Sequence, residues 1–423
     1  MQRVISLVCA VLVAVVGLTP PAWASENEMM DALIHKLVKK GVLTREDARE
    51  IREEVAEEAV VMAKARAAET KDTVKGMKGG SWLDKVTWGG DFRLRHETQK
   101  REPAQDRTRE RMRLRFGFTA TPTDELEIGV RLATGASGDP VSTNQSFSAS
   151  FDKKAIFIDK AYATYRPLTW LSLTGGKMEN PFQTSDIVWD GDVTPEGAVV
   201  QWQMPGERTV RPFATVGAFQ ISELSADTGD PGLFAGQVGA DVALPFGEGW
   251  AWQPSVAYYD FTAIEAMRTS NVTNAPAGNS TDGATAAARF RYDYDVLSVL
   301  NKVKLGQWFG APVAAFGDWT TNGGAGDHNG AWQVGLGVGK VTDKFGSWKA
   351  GYAYKRLESD ATFGALTDSD FGTGGTNHKG HIMGVTMGLN KYANVGLKYL
   401  RTDEIAGSQA HNDTFQADLQ MKF

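Results

Sequence analysis

The feature that most constrains this chain is the stretch from Val86 to Thr121, two segments about a polar patch, the second of which alternates strictly with a period of two. In RERMRLRFGFTAT, Arg109, Arg111, Arg113 and Arg115 fall on one side, and Met112, Leu114, Phe116 and Phe118 on the other. In VTWGGDFRLRHET, Asp91, Arg93, Arg95 and Glu97 likewise oppose Phe92 and Leu94. A period of two marks a strand, because successive side chains point to opposite faces of the pleat. Two such strands joined by a polar connection predict an antiparallel hairpin with one apolar face and one face carrying up to six arginines. That is too many charges for a soluble core. Lipid outside and water inside would satisfy both faces, as in the wall of a transmembrane β-barrel. A half-exposed sheet on a soluble β-protein is the alternative, and the rest of the chain has to separate the two.

About sixteen alternating segments follow one another. They centre on 86–97, 109–121, 124–135, 155–166, 169–178, 196–204, 210–221, 232–244, 250–261, 290–307, 311–320, 329–340, 347–358, 378–389, 393–402 and 413–423. The connections alternate in length. Short ones such as Thr121-Pro122-Thr123-Asp124 and Pro205-Gly206-Glu207-Arg208 are rich in tight-turn residues. Long ones lie near 98–108, 136–154, 179–195, 222–231, 262–289, 321–328, 359–377 and 403–412. Sorting of loops by parity is expected of an outer-membrane barrel and not of a soluble sandwich. The fold class predicted is therefore an all-β, closed antiparallel transmembrane barrel of about sixteen strands. Tryptophans near segment ends, among them Trp88, Trp170, Trp252 and Trp348, suit the headgroup level of a bilayer.

The first eighty residues read differently. Residues 1–24 have the form of a secretory signal, with Arg3, an apolar run from Ile5 to Leu18, and an Ala22-Trp23-Ala24 cleavage site. Cleavage would leave Ser25 first and discard Cys9, the single cysteine, so neither disulfides nor thiol chemistry is expected in the mature barrel. Losing Arg3 takes the formal net charge from −6 to −7, which argues against a nucleic-acid partner. Residues 25–80 are expected to form a periplasmic helical segment, with helices over 28–39 and 45–70. A Thr44-Arg45-Glu46-Asp47 capping box would open the second. Its narrow seam of Ala48, Ile51, Val55, Met62 and Ala65 suits a coiled coil, or a helical hairpin packed on itself or on the barrel mouth. Gly76, Gly79 and Gly80 form a linker to the barrel domain, 81–423.

The final segment alternates Phe415, Ala417, Leu419, Met421 and Phe423 with polar residues. An apolar-alternating last strand ending in Phe resembles the signal read by the barrel insertion machinery. WGGDFRLRHE at 88–97, IDKAYATYRP at 158–167, ENPFQTSDIVWDGDVTPEG at 179–197 and DSDFGTGGTNHKG at 368–380 resemble the bacterial putative porin family, and the resemblance spans the mature chain. It implies an outer-membrane channel for small hydrophilic solutes and ions, embedded in lipid and lipopolysaccharide and assembled as a homo-oligomer, a trimer being common among large porins. It implies no cofactor and does not name a solute.

The candidate pore-lining residues are Arg93, Arg95, Arg109, Arg111, Arg113 and Arg115 on one side and Asp186, Asp190, Asp192 and Glu196 on the other. From Met178 to Gly206 there is no Lys, Arg or His. This third long loop would fold inward, as in general porins, and set its carboxylates against the arginine wall. A loop left on the surface is the alternative. A calcium site at Asp186, Asp190 and Asp192 is another, since oxygen-only ligands suit it, though without EF-hand spacing. An enzyme is not expected: the six histidines pair with no Ser and no G-x-S-x-G motif is present. A structural tether, with the helices gripping cell wall or a partner, is the alternative function, and it can coexist with a channel. It needs far fewer strands than a water-filled lumen does.

Overall fold

The computed structural model describes residues 85–423, apart from 226–228, 284–286 and 409, together with Glu46 alone. The expectations for residues 1–80, namely the signal, both helices and the glycine linker, fall outside the described residues, Glu46 excepted. The described barrel belongs to one compact unit, Trp82–Phe423.

Sixteen long strands among the described residues build it: β1 (Val86–Glu102), β2 (Arg107–Ala120), β3 (Leu126–Thr134), β4 (Ile156–Leu168), β5 (Leu171–Lys177), β6 (Glu196–Gln203), β7 (Val210–Gln220), β8 (Gly232–Ala243), β9 (Trp250–Thr262), β10 (Tyr294–Trp308), β11 (Ala311–Asn322), β12 (Gly330–Gly339), β13 (Trp348–Leu357), β14 (His378–Gly388), β15 (Ala393–Glu404) and β16 (His411–Lys422). Each pairs antiparallel with its sequence neighbours, and β16 closes on β1 from Asp91↔Lys422 to Glu102↔His411. Closure leaves no open edge. At the seam the Phe423 N–H donates to the Gly90 carbonyl at 3.1 Å, and the Gly90 N–H returns the bond at 3.0 Å. A Cβ at Gly90 would meet the Phe423 ring at 2.7 Å, so glycine is what seats the terminal aromatic residue.

The two faces sort as the alternation demands. Trp88, Leu94, Phe116, Leu132, Val200, Val238, Trp252, Val334 and Leu397 are exposed on the outer face. The opposite face holds the buried polar residues Arg95, Glu97, Arg113, Gln237, Ser298, Gln333, Thr402 and Gln416. A charge near the midplane of the lipid face costs about 2–4 kcal/mol, which fixes which face is inside. Exposed Trp88, Trp170, Trp252, Trp308, Trp348 and Tyr392 stand near the short-turn end of the wall.

Some boundaries differ from the sequence reading. β1 and β2 run on past the expected loop at 98–108, with Thr98↔Thr108 and Gln99↔Arg107 paired, and only 103–106 connect them. Their ends are polar on both faces, so hydrophobic alternation stops before the strand does. β10 starts at Tyr294; Arg289–Phe290 instead pairs with Thr281–Asp282 as a small separate sheet. Between β3 and β4, Gln145–Ser146 pairs with Arg111 and Met112 of β2, taking over where β3 leaves off.

Among the described residues, long connections fill part of the barrel, and Val141, from the one between β3 and β4, joins the buried cluster they form. Phe182, Ile187, Val188, Trp189 and Val193 from 178–195 join one buried apolar cluster with the inner-wall residues Val199, Phe219, Leu233, Ala235, Ala257 and Tyr259. Ile264, Met267 and Phe290 from 263–293, and Ala361, Phe363 and Ala365 from 358–377, extend the same cluster.

Candidate functional site

The third long connection is amphipathic, and its two sides have different partners. Phe182 packs edge-on against Tyr259 at 5.5 Å and Phe219 at 6.1 Å, and Trp189 meets Tyr259 at 6.0 Å. These aromatics pin the segment to β7–β9 and turn its carboxylates toward the rest of the interior. Asp192 reaches the arginine wall, at 3.5 Å from Arg115 and 3.9 Å from Arg113. Its other oxygen accepts from the Thr143 N–H at 3.1 Å and hydroxyl at 3.0 Å.

All six arginines are on the inward face in direct register, with Arg93↔Arg113, Arg95↔Arg111, Glu97↔Arg109 and Asp91↔Arg115. Interleaved acids keep this ladder from being bare like charge. Asp91 accepts from Arg113 and Arg115, both at 2.7 Å. Glu97 takes Arg109 at 2.5 Å and lies 3.5 Å from Arg111. Arg95 forms a bidentate pair with Asp418, at 2.7 and 2.9 Å, and reaches Asp370 at 3.2 Å. Arg93 donates to the Asn144 side chain at 2.6 Å and lies 3.9 Å from Asp418. Charge-assisted and bidentate bonds of this kind fix the guanidinium planes.

Asp186 and Asp190 are placed differently from Asp192. The Asp190 carboxylate accepts from the backbone N–H of Ser369 and of Asp192, both at 2.8 Å. Its own N–H donates to the Leu366 carbonyl at 2.7 Å. Asp190 thus ties the third connection to the 358–377 connection and contacts no arginine. Burial, with the neighbouring Asp368 carboxylate, pushes its pKa up to about 8; the two backbone N–H groups pull the other way without prevailing. The Asp186 side chain is exposed to the interior cavity, while its carbonyl accepts from Lys355 at 3.4 Å.

Glu196 departs from the expectation. It is the first residue of β6, cross-strand from Lys177, and pairs with it at 2.9 Å. The inward residues of β6 are Gly197, Val199 and Gln201, so register puts Glu196 on the outer face. Among the described residues, no three His, Cys, Asp or Glu side chains converge on a point where a metal ion could sit.

Several residues of the arrangement were not singled out in the sequence. Asp368 pairs with the fully buried Lys355 at 3.3 Å, and Lys355 also lies 4.2 Å from the Phe371 ring centre. Asp370 reaches Lys398 at 3.8 Å as well as Arg95. The acidic side is therefore built by two connections, and β16 adds Asp418. An apolar ATFGAL run at 361–366 just before the DSD at 368–370 is the signal that could have flagged the second one.

A closed sixteen-stranded barrel with long connections folded inside, and opposed arginines and carboxylates between them, defines an outer-membrane porin channel. The sequence profile of the family described as putative porin matches residues 99–305 and 292–423, and the chain belongs to that family. No curated protein matches the chain. Among solved structures, Salmonella typhi OmpF in complex with daunomycin is 11% identical with TM-score 0.49, covering 80% of this chain and 97% of that one. Pseudomonas putida OprB at low pH is 12% identical with TM-score 0.47, covering 82% and 96%. A loop-deletion mutant of Vibrio cholerae OmpT is 13% identical with TM-score 0.44, covering 80% and 99%.

Proposed function

We propose that this porin passes small hydrophilic solutes and ions by diffusion, through a lumen narrowed between the arginine wall and two inward connections. Arg93, Arg95, Arg109, Arg111, Arg113 and Arg115 line one side of the narrow part; Asp186, Asp190 and Asp192 line the other. The observation that carries this reading is Asp192 standing 3.5 Å from Arg115 while its own segment is anchored on the far wall. Asp192 and the arginines meet in direct ion pairs, so this charged seam borders the water path, and its uneven charge orients dipolar solutes passing beside it. The ladder favours weak anion preference.

In this reading residues 1–24 direct export, and helices over 28–39 and 45–70 remain periplasmic, where they associate as a coiled coil or tether the barrel to cell wall as a secondary role. The last strand, ending at Phe423, recruits the insertion machinery. The outer face meets lipid and lipopolysaccharide, and the channel assembles as a trimer. Full-length protein in planar bilayers should give stepwise conductance and pass uncharged sugars into liposomes. A barrel that inserts without conducting would leave only the anchor role.

A further inference from the structure

Toward the short-turn end, the interior opens into a cavity of about 1410 Å³ reaching from the arginine–carboxylate zone to the turns. Seven of its lining residues are Lys or Arg and three are Asp. Two of those acids are already engaged: Asp418 by Arg95, and Asp241 by Gln203 and Gln253.

Register across this wall reveals an ordered floor. One inward row runs Lys304↔Ala314↔Gly337↔Gly351↔Gly384↔Lys398 across β10 to β15. The next row toward the constriction runs Lys302↔Phe316↔Gly335↔Ala353↔Ile382↔Leu400. Gly335 has a packing reason, since a Cβ there would strike the Phe316 ring at 2.3 Å. The other three have none. A Cβ would meet nothing nearer than 3.9 Å at Gly337, 3.6 Å at Gly351 and 3.7 Å at Gly384, and none has positive φ. Neighbouring strands are about 4.8 Å apart, so three bare positions in a row leave a trough of about ring width in the wall. Lys349 stands one inward position from Gly351 on the same strand. Lys304 and Lys349 are exposed to the cavity and make no ion pair among the described residues.

We propose that this cavity is a binding vestibule for organic anions with a flat apolar body. The body lies on the bare backbone of Gly337, Gly351 and Gly384, bordered by Phe316 and Ile382. The carboxylate or like group is held by Lys349, beside the trough, and Lys304, three strands away on the same wall, adds positive charge to the approach. The proposal rests on the channel reading and adds a solute class to it. Charge without a body gains only the lysines, and a body without charge gains only the trough, so the two features together select aryl or cyclic anions over acetate-like ones.

The test uses the full chain in planar bilayers, with chloride carrying the current and benzoate, acetate or benzyl alcohol added on the short-turn side. Block is measured relative to each variant's own open current. Benzoate should interrupt the current at concentrations where acetate and benzyl alcohol do not. Lys304→Gln with Lys349→Gln should weaken the benzoate block about tenfold, and Gly351→Leu, which fills the trough, should do the same. Should the leucine variant fail to insert, the lysine pair decides. Equal block by benzoate and acetate, or a block unchanged in the variants, would overturn the vestibule. Absence of any chloride current in the unmodified protein would instead overturn the channel reading.

Discussion

The wall formed by β16, β1 and β2 and the wall formed by β6–β9 share one backbone pattern and carry opposite inner faces. The first presents six arginines with Asp91, Glu97 and Asp418 among them. The second presents Val199, Phe219, Leu233, Ala235, Ala257 and Tyr259, covered by Phe182, Ile187 and Trp189. A polar inner face can stay open to water; an apolar one has to be covered, and the cover here is an inward loop whose reverse side is acidic. The hydrophobic wall is thus the reason the carboxylates stand opposite the arginines. Burial of the Phe182 and Trp189 side chains does the positioning, and the ion pairs tune what passes.

This division makes ranked predictions. The largest effect belongs to the apolar anchor. Phe182→Ala and Trp189→Ala each remove a nearly fully buried aromatic side chain, a loss of roughly 3–5 kcal/mol at a well-packed site. The double variant should free the third connection from the wall and raise single-channel conductance several-fold, while the barrel still folds and inserts. Unchanged conductance would mean that the aromatic cluster does not hold the loop.

A smaller effect belongs to Asp190, which ties one loop to the other. Its pKa is raised to about 8 in the folded chain, above the usual carboxylate value near 3.9. Folding therefore takes up a proton between about pH 4 and pH 8, so stability falls as pH rises through that window and levels off above it. In the channel, a negative charge appears as pH passes about 8. Reversal potentials under a salt gradient should move toward cations between about pH 6 and pH 9, and Asp190→Asn should flatten that change. A pH profile identical in the two proteins would contradict it.

The contrast between the walls also explains how much was legible. Strict polar–apolar alternation at 111–116 names strand, face and medium at once, because only one medium suits each face. Over 232–238 the inner Leu233 and Ala235 and the outer Phe234 and Val238 are all apolar, so the segment is recognisable as strand without showing what covers it. The acidic third connection was readable from its unbroken charge, yet only Asp192 of its three aspartates meets arginine; which acid reaches across depends on how the aromatic anchor turns the segment. Asp370 and Asp418 partner Arg95 from 275 and 323 residues away, a juxtaposition made by barrel closure that no local spacing reveals. Glu196 misled because it continues the charge run of the acidic connection, although it opens β6, where the inward Val199 sets its parity outward.

The central claim is that Asp192 and the arginine wall, in ion-pair contact, border the narrowest part of the channel. Reversal potentials under a salt gradient, measured for Arg113→Ala with Arg115→Ala, for Asp192→Asn, for all three together, and for Glu196→Gln on the outer face, test it most directly. The arginine variant should shift toward cations, Asp192→Asn toward anions, and the triple variant should fall between them by less than the sum of the parts, because the pair interacts. Glu196→Gln should leave the potential unchanged. Potentials equal to the unmodified channel in all four, or a shift at Glu196 as large as that at Asp192, would contradict the account.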